Sequence, residues 1–164
     1  MCHNIELVQP LDEGFSTLFD EHVSIMLLIN PATNTIRYAN QAAAHFYGYA
    51  QAELCGLPIS QICTVAPEQM ALTHQRALHK EQHHFVQEHR VAGGALHTVE
   101  IATSPLNIGG QPMLFTIVYD ITKRVRAEQA LRQSELRYRS LIDTLNVSLC
   151  HWLPDTTLVF TNEQ

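Results

Sequence analysis

Two glycine pairs set the strongest limit on how this chain can fold. Gly93-Gly94 and Gly109-Gly110 part three β-rich runs, "HHFVQEHRV", "ALHTVEIATSPL" and "PMLFTIVYDIT". Glycine reaches the positive φ that tight hairpin turns require, so these pairs predict three consecutive antiparallel strands. Neither pair opens a helix after a strand, so neither is a phosphate-binding loop.

The residues before them read as helix, strand, strand and several small helices. Phe15, Leu18, Phe19 and His22 recur at i, i+3, i+4 and i+7, one face of a short helix. Ser24 to Ile29 is apolar on both alternating faces, which predicts a strand covered on both sides. "NPATN" is a turn, "TIRYA" a second strand, and Asn40 an N-cap for the helix "QAAAHFYG", which Gly48 can close. "AQAELCG" and "PISQIC" predict two short helical turns. A longer helix starts near Pro67 and runs through "EQMALTHQRALHKEQ". Two strands, small helices and three antiparallel strands make an α+β domain with a five-stranded antiparallel sheet.

The last strand passes through Asp120-Ile121-Thr122 into a charged helix with no Gly or Pro between them. Thr122 suits a helix N-cap, and the Asp120 carboxylate suits the partial positive charge there. Ala127, Leu131, Ser134, Tyr138, Leu141 and Leu145 then recur in steps of four and three, the coiled-coil period. Glu128 with Arg132 and Glu135 with Arg139 are i,i+4 pairs in the favourable order. A stiff joint of this kind carries displacement from strand to helix; a capped spacer helix is the plainer reading of the same residues.

Charge is uneven. The chain carries 10 Lys and Arg against 16 Asp and Glu, a formal −6. Asp120 to Ser140 is net +3 and the remainder −9. An acidic body argues against binding nucleic acid or an anionic membrane, and the basic segment reads as a solvated helix face. Cys2, Cys55, Cys63 and Cys150 form no zinc spacing and fit a reducing cytoplasm. No signal peptide opens the sequence, and no apolar run reaches membrane-span length, so a cytoplasmic location is expected.

Residues 15 to 41 and 138 to 164 resemble one another. Leu18, Asp20, Pro31 and Thr33 match Leu141, Asp143, Pro154 and Thr156, and Asn40 matches Asn162 after a one-residue gap. A true repeat would make the chain one module, a helical connector, and the opening of a second module in a longer protein.

"IRYANQAAAHFYGYAQAELCGLPI", "EHRVAGGALHTVEIATSPL" and the closing "DIT" before a charged helix resemble the PAS sensor family. The likeness divides the chain into an N-terminal extension (1–14), a PAS domain (15–122), a signalling connector helix (123–137) and a truncated second PAS domain (138–164). It implies the strand order 2-1-5-4-3, with helices packed on one sheet face around a small pocket. It also implies a sensory or dimerising module of a longer bacterial signal-transduction protein, feeding a C-terminal histidine kinase or diguanylate cyclase. The alternative is a ligand-free protein–protein interaction module. Asp120 and Thr122 stand at the family's signal-coupling positions. A homodimer is expected through Phe15, Leu18, Phe19 and Leu131.

Ile29, Phe46, Ile59, Met70, His74 and Phe115 are candidate pocket-lining residues. Cofactor choices stay open between haem, non-covalent flavin, a small metabolite and none. Some haem-binding relatives carry their axial ligand on the long helix, where His74 and His79 lie, and His79 with His83 has metal-binding spacing if that helix persists. The flavin-photoadduct "GxNC" segment is absent: "GLPI" puts Ile59 where the cysteine belongs. No nucleophile–base pair, paired-carboxylate motif, metal signature or phosphoacceptor histidine segment can be assembled, so this segment is not expected to be an enzyme.

Overall fold

A computed structural model describes residues 13–81 and 83–144 and the short strands Cys150–Trp152 and Leu158–Thr161. Five strands build the sheet: β1 (Ile25–Asn30), β2 (Thr35–Ala39), β3 (His84–Arg90), β4 (Leu96–Ile108) and β5 (Gln111–Asp120). They are antiparallel in the order β2-β1-β5-β4-β3, as the resemblance implies. The glycine pairs act as expected. Gly109 and Gly110 both take positive φ (58° and 82°) between the paired residues Ile108 and Gln111, a tight hairpin turn.

The helices are α1 (Glu13–Glu21), α2 (Gln41–Tyr47), α3 (Gln51–Leu54), a 3-10 turn at Ile59–Gln61, α4 (Pro67–Leu78) and α5 (Thr122–Thr144). One sheet face, with Leu27, Ile29, Val99, Ile101, Leu114 and Val118, packs under the helices from α2 to α4. Strand alternation puts Met26, Leu28 and Phe115 on the other face, where Phe19 of α1 lies 6.0 Å from the Phe115 ring. β1 is therefore buried on both sides, as its composition predicts.

A bulge between Leu28 and Ile29 interrupts the β1–β2 pairing. It sets Ile36 opposite Ile29 and Ala39 opposite Leu27 on the cavity side, while Tyr38 faces Leu28 on the Phe19 side. Simple alternation along "TIRYA" would have sent Ile36 and Tyr38 the same way.

Asn40 does more than cap a helix. Its Oδ1 accepts from the N–H groups of Ala43 and Met26, each at 3.0 Å. Its Nδ2 donates to the carbonyls of Phe19, His22 and Ser24 at 2.8 to 3.2 Å. One fully buried side chain thus ties α1, β1 and α2 together. Gly48 closes α2 in the left-handed conformation, as expected.

Two expectations change. α4 stops at Leu78, His79 caps it, and Lys80 takes a positive φ of 58°. His79 and His83 therefore do not share a helix, and the pairing that their spacing allowed does not form. In α1, which ends at Glu21, His22 falls just past the helix, while Phe19 is buried and Leu18 is 67% exposed. The side chain of Phe15 lies outside the described residues.

The chain divides between Thr122 and Lys123. In the second unit α5 is continuous to Thr144, and β6 (Cys150–Trp152) pairs antiparallel with β7 (Leu158–Thr161). Pro154, Thr156 and Asn162, on which the repeat rests, and Leu145 lie outside the described residues. Glu128 pairs with Arg124 at 3.9 Å, an exposed contact of little energetic weight.

Replacing Asn40 with Ala removes five hydrogen bonds and leaves buried carbonyl and N–H groups without partners. Urea denaturation should register a loss on the order of 3 kcal/mol. Asn40→Asp, which sets a carboxylate against three carbonyls, should recover little of it. A loss within a few tenths of a kcal/mol for Asn40→Ala would contradict this role.

Candidate functional site

The helices and the sheet enclose a cavity of ≈ 30 Å³, room for about two waters. Ile29, Ile59, Met70 and His74, four of the six expected residues, line it. Met70, His74 and Ala77 come from one face of α4, at steps of four and three. Phe115 lies on the other sheet face, because its neighbours Leu114 and Thr116 point inward. Phe46 sits at the end of α2, half-buried, outside the lining. His79 is exposed beyond α4.

The lining is more polar than the apolar candidates suggested. His74, buried on α4, holds Asn34 Oδ1 at 2.9 Å through Nδ1. Asn34 sits in the β1–β2 turn at φ 54°, a left-handed position that asparagine tolerates. His89, 2% exposed on β3, lies with Nδ1 2.8 Å from the Tyr47 hydroxyl. Burial lowers the His89 pKa from 6.5 to about 4 and shifts that of His74 downward. Burial, with a smaller contribution from Cys63, pushes the Tyr47 hydroxyl up. The Cys63 thiol, also raised by burial against a backbone hydrogen bond from Val65, donates to Gln87 Oε1 at 3.0 Å. Thr103 and Thr116 share a buried hydroxyl contact at 3.1 Å. All these groups are uncharged at neutral pH.

A haem or an isoalloxazine ring far exceeds this space, so neither fits unless α4 and the sheet part. Among the described residues no group of three or more His, Cys, Asp and Glu is placed to hold a metal ion.

Contacts run without a break from the cavity to the end of β5. His89 meets Tyr47. The Tyr47 ring stands edge-on to Phe46 at 4.9 Å, and Phe46 stands edge-on to His97 at 5.2 Å. His97 Nδ1 lies 3.1 Å from Asp120 Oδ2. The other Asp120 oxygen accepts the backbone N–H of Thr122 at 2.9 Å and its hydroxyl. Thr122 Oγ1 accepts the Thr98 N–H at 2.9 Å, and the Thr98 carbonyl accepts the Ile121 N–H at 3.0 Å.

The expected roles at this junction are exchanged. Asp120 supplies the acceptor for the first helical N–H, and the Thr122 hydroxyl is spent on Thr98 of β4. Desolvation would raise the Asp120 carboxyl, but the hydrogen bonds from Thr122, with His97, outweigh it and hold it below the usual range.

Sequence reasoning missed His89, Tyr47, His97 and Thr98. Period-2 alternation along β3 does place Phe85, Gln87 and His89 on one face. The polarity of Gln87 and His89 reads as solvent-facing until their Cys63 and Tyr47 partners are known.

Stability should record the buried imidazole. The unfolded chain takes up a proton on His89 near pH 6.5 and the folded chain only near 4. Stability should therefore fall as pH drops through that window, by on the order of 3 kcal/mol, and level off below it. His89→Gln should flatten much of that slope in thermal melts. An equally steep slope in the variant would contradict it.

The family model described as "PAS fold" matches residues 20–126. Diguanylate cyclase DgcM of Escherichia coli K12 is 30% identical over 131 residues, covering 77% of this chain and 32% of that protein. The chain thus spans about a third of the length of the curated relatives it matches. The PAS domain of an HTR-like protein from Haloarcula marismortui superposes with a TM-score of 0.60 at 20% identity, covering 66% of this chain and 89% of that one. A PAS domain from Desulfitobacterium hafniense gives 0.59 at 18% identity, covering 63% and 98%. No helix among the described residues is long and apolar enough to cross a membrane. The matched span takes in the sheet, the cavity and the Asp120–Thr122 junction, and on it the chain belongs to the PAS family.

Proposed function

We propose that this chain is the sensory input module of a longer signal-transduction protein, and that the cavity is its sensing site. A change at the cavity moves the end of β5, and Asp120 and Thr122 pass that movement into α5. From there it reaches a C-terminal output domain, of which the diguanylate cyclase relative offers one type and a histidine kinase another. The observation that carries this reading is the unbroken run of contacts from His89 through Tyr47, Phe46 and His97 to Asp120. Coupling of this kind needs two arrangements of comparable free energy, and contact alone supplies the route rather than the switch.

Output domains of these classes work as pairs, and α5 supports pairing. Leu131 and Tyr138 are 62% and 67% exposed on its seam, and Leu18 of α1 is exposed as well. A homodimer with a loose coiled coil follows from this spacing. Phe19 supports α1 from within, since it packs on its own sheet. The second reading, a ligand-free assembly module, draws on the same exposed seam and the small cavity.

Two experiments test these points. Asp120→Ala with Thr122→Ala in the full-length parent should uncouple stimulus from output while the input domain keeps its fold by circular dichroism. Unchanged signalling would contradict the junction's role. Leu131→Asp should raise the dimer dissociation constant of this chain at least tenfold in sedimentation equilibrium. A dimer of undiminished affinity, or a wild-type monomer at high concentration, would rule out the α5 contact.

A further inference from the structure

The cavity that serves as the proposed sensing site has a chemical character of its own, and any ligand selectivity it has rests on that sensing role. No Lys, Arg, Asp or Glu lines it. Its walls are apolar side chains of the sheet and α4, broken by a few neutral polar groups. A bound carboxylate or phosphate would meet no cation there, and an ammonium no anion, so either would lose its hydration uncompensated.

The two histidines on the wall are held in opposite senses. Asn34 Oδ1 is an acceptor, so His74 carries its proton on Nδ1, and its Nε2 keeps a lone pair. Tyr47 is fully buried, and its hydroxyl proton has His89 Nδ1 as its partner at 2.8 Å. His89 therefore accepts at Nδ1 and carries its proton on Nε2. Neither Asn34 nor Tyr47 lines the cavity, so both Nδ1 bonds point away from it and leave each Nε2 as the nitrogen available within. Among the described residues no buried side-chain nitrogen or oxygen lacks a partner, which fits two nitrogens open to that space.

We propose that His74 and His89 form an acceptor–donor pair that makes this cavity selective for a small uncharged ligand with an apolar body and one group that both donates and accepts. A short primary amide or alcohol has that character; its carbon chain exceeds the resting space of about two waters, so α4 must move outward from the sheet to admit it. Its N–H or O–H donates to His74 Nε2, and its oxygen accepts from the Nε2–H of His89. Gln87, whose Oε1 is taken by the Cys63 thiol, supplies further N–H donors. A hydrocarbon of the same size would leave both Nε2 groups without partners, and sites built to hydrogen-bond discriminate strongly against such analogues.

The test uses the whole chain at pH 7.5 and three probes of matched size: propionamide, propionate and n-propylammonium. Long-range ¹H–¹⁵N spectra of the imidazoles report both tautomer and binding, and need no variant. The expected spectra show His74 protonated on Nδ1 and His89 on Nε2. Propionamide should shift both imidazoles at concentrations where the two charged probes, at tenfold excess, shift neither. His89→Phe should weaken propionamide at least tenfold. Binding of propionate or propylammonium as tight as that of the amide would overturn the selectivity and leave the cavity as a sensing site. So would two histidines of the same tautomer. If no probe moved either imidazole, the sensing reading of the cavity would fall, and the selectivity with it.

Discussion

Thr122 has one hydroxyl group and two strands' worth of obligations. It donates to the Asp120 carboxylate and accepts the Thr98 N–H, while the Thr98 carbonyl takes the Ile121 N–H. The last residues of β5 and the first of α5 are thus fastened to β4 by backbone and side chain together. The hydroxyl's one proton goes to the carboxylate, because a charge-assisted bond is stronger than the 3.4 Å alternative to the Thr98 carbonyl. A strand can enter a helix without a glycine or proline here because this fastening replaces a turn. On the proposed function, a displacement of β5 reaches Thr122 through this fastening.

In the proposed function the fastening answers to the cavity, and ring side chains lie between the two. Tyr47, Phe46 and His97 are rings in edge-on contact, an arrangement that the ring quadrupole favours. At one end His89 faces the cavity, and at the other His97 meets Asp120. Asn40 holds the helix that carries Phe46 and Tyr47 in register with β1 through its five hydrogen bonds. The same residue that makes the fold stable keeps the ring sequence aligned.

The fold was largely legible in the sequence. Glycine pairs gave the hairpins, "TIRYA" and Asn40 marked a strand and a cap, and the order of elements limited the topology. Local signals suffice where one residue type has one conformational use. The cavity was legible only in part. Ile29, Ile59 and Met70 follow from apolar pattern, and His74 from the likeness to haem-binding relatives. Phe115 was misplaced because a run such as "MLFTIV" offers apolar residues on both faces, and the register with β1 decides which face is inner. α4 ended early because Lys80 adopts a positive φ that no residue type in "LHKEQ" announces. His89 and Gln87 were missed because a polar residue on a strand reads as exposed unless its buried partner, forty residues or more away for Tyr47, is known. Long-range pairing of polar groups leaves no local trace.

Amide hydrogen exchange in Tyr47→Phe tests the link between cavity and junction most directly. The variant loses only the hydroxyl that meets His89 and keeps the ring against Phe46. Exchange of the Thr122 and Thr98 amides should rise several-fold, while that of Ile36, which bonds the Leu57 carbonyl at 2.9 Å away from this route, stays as it was. Unchanged exchange at Thr122 and Thr98, or an equal rise at all three, would contradict a specific connection between them.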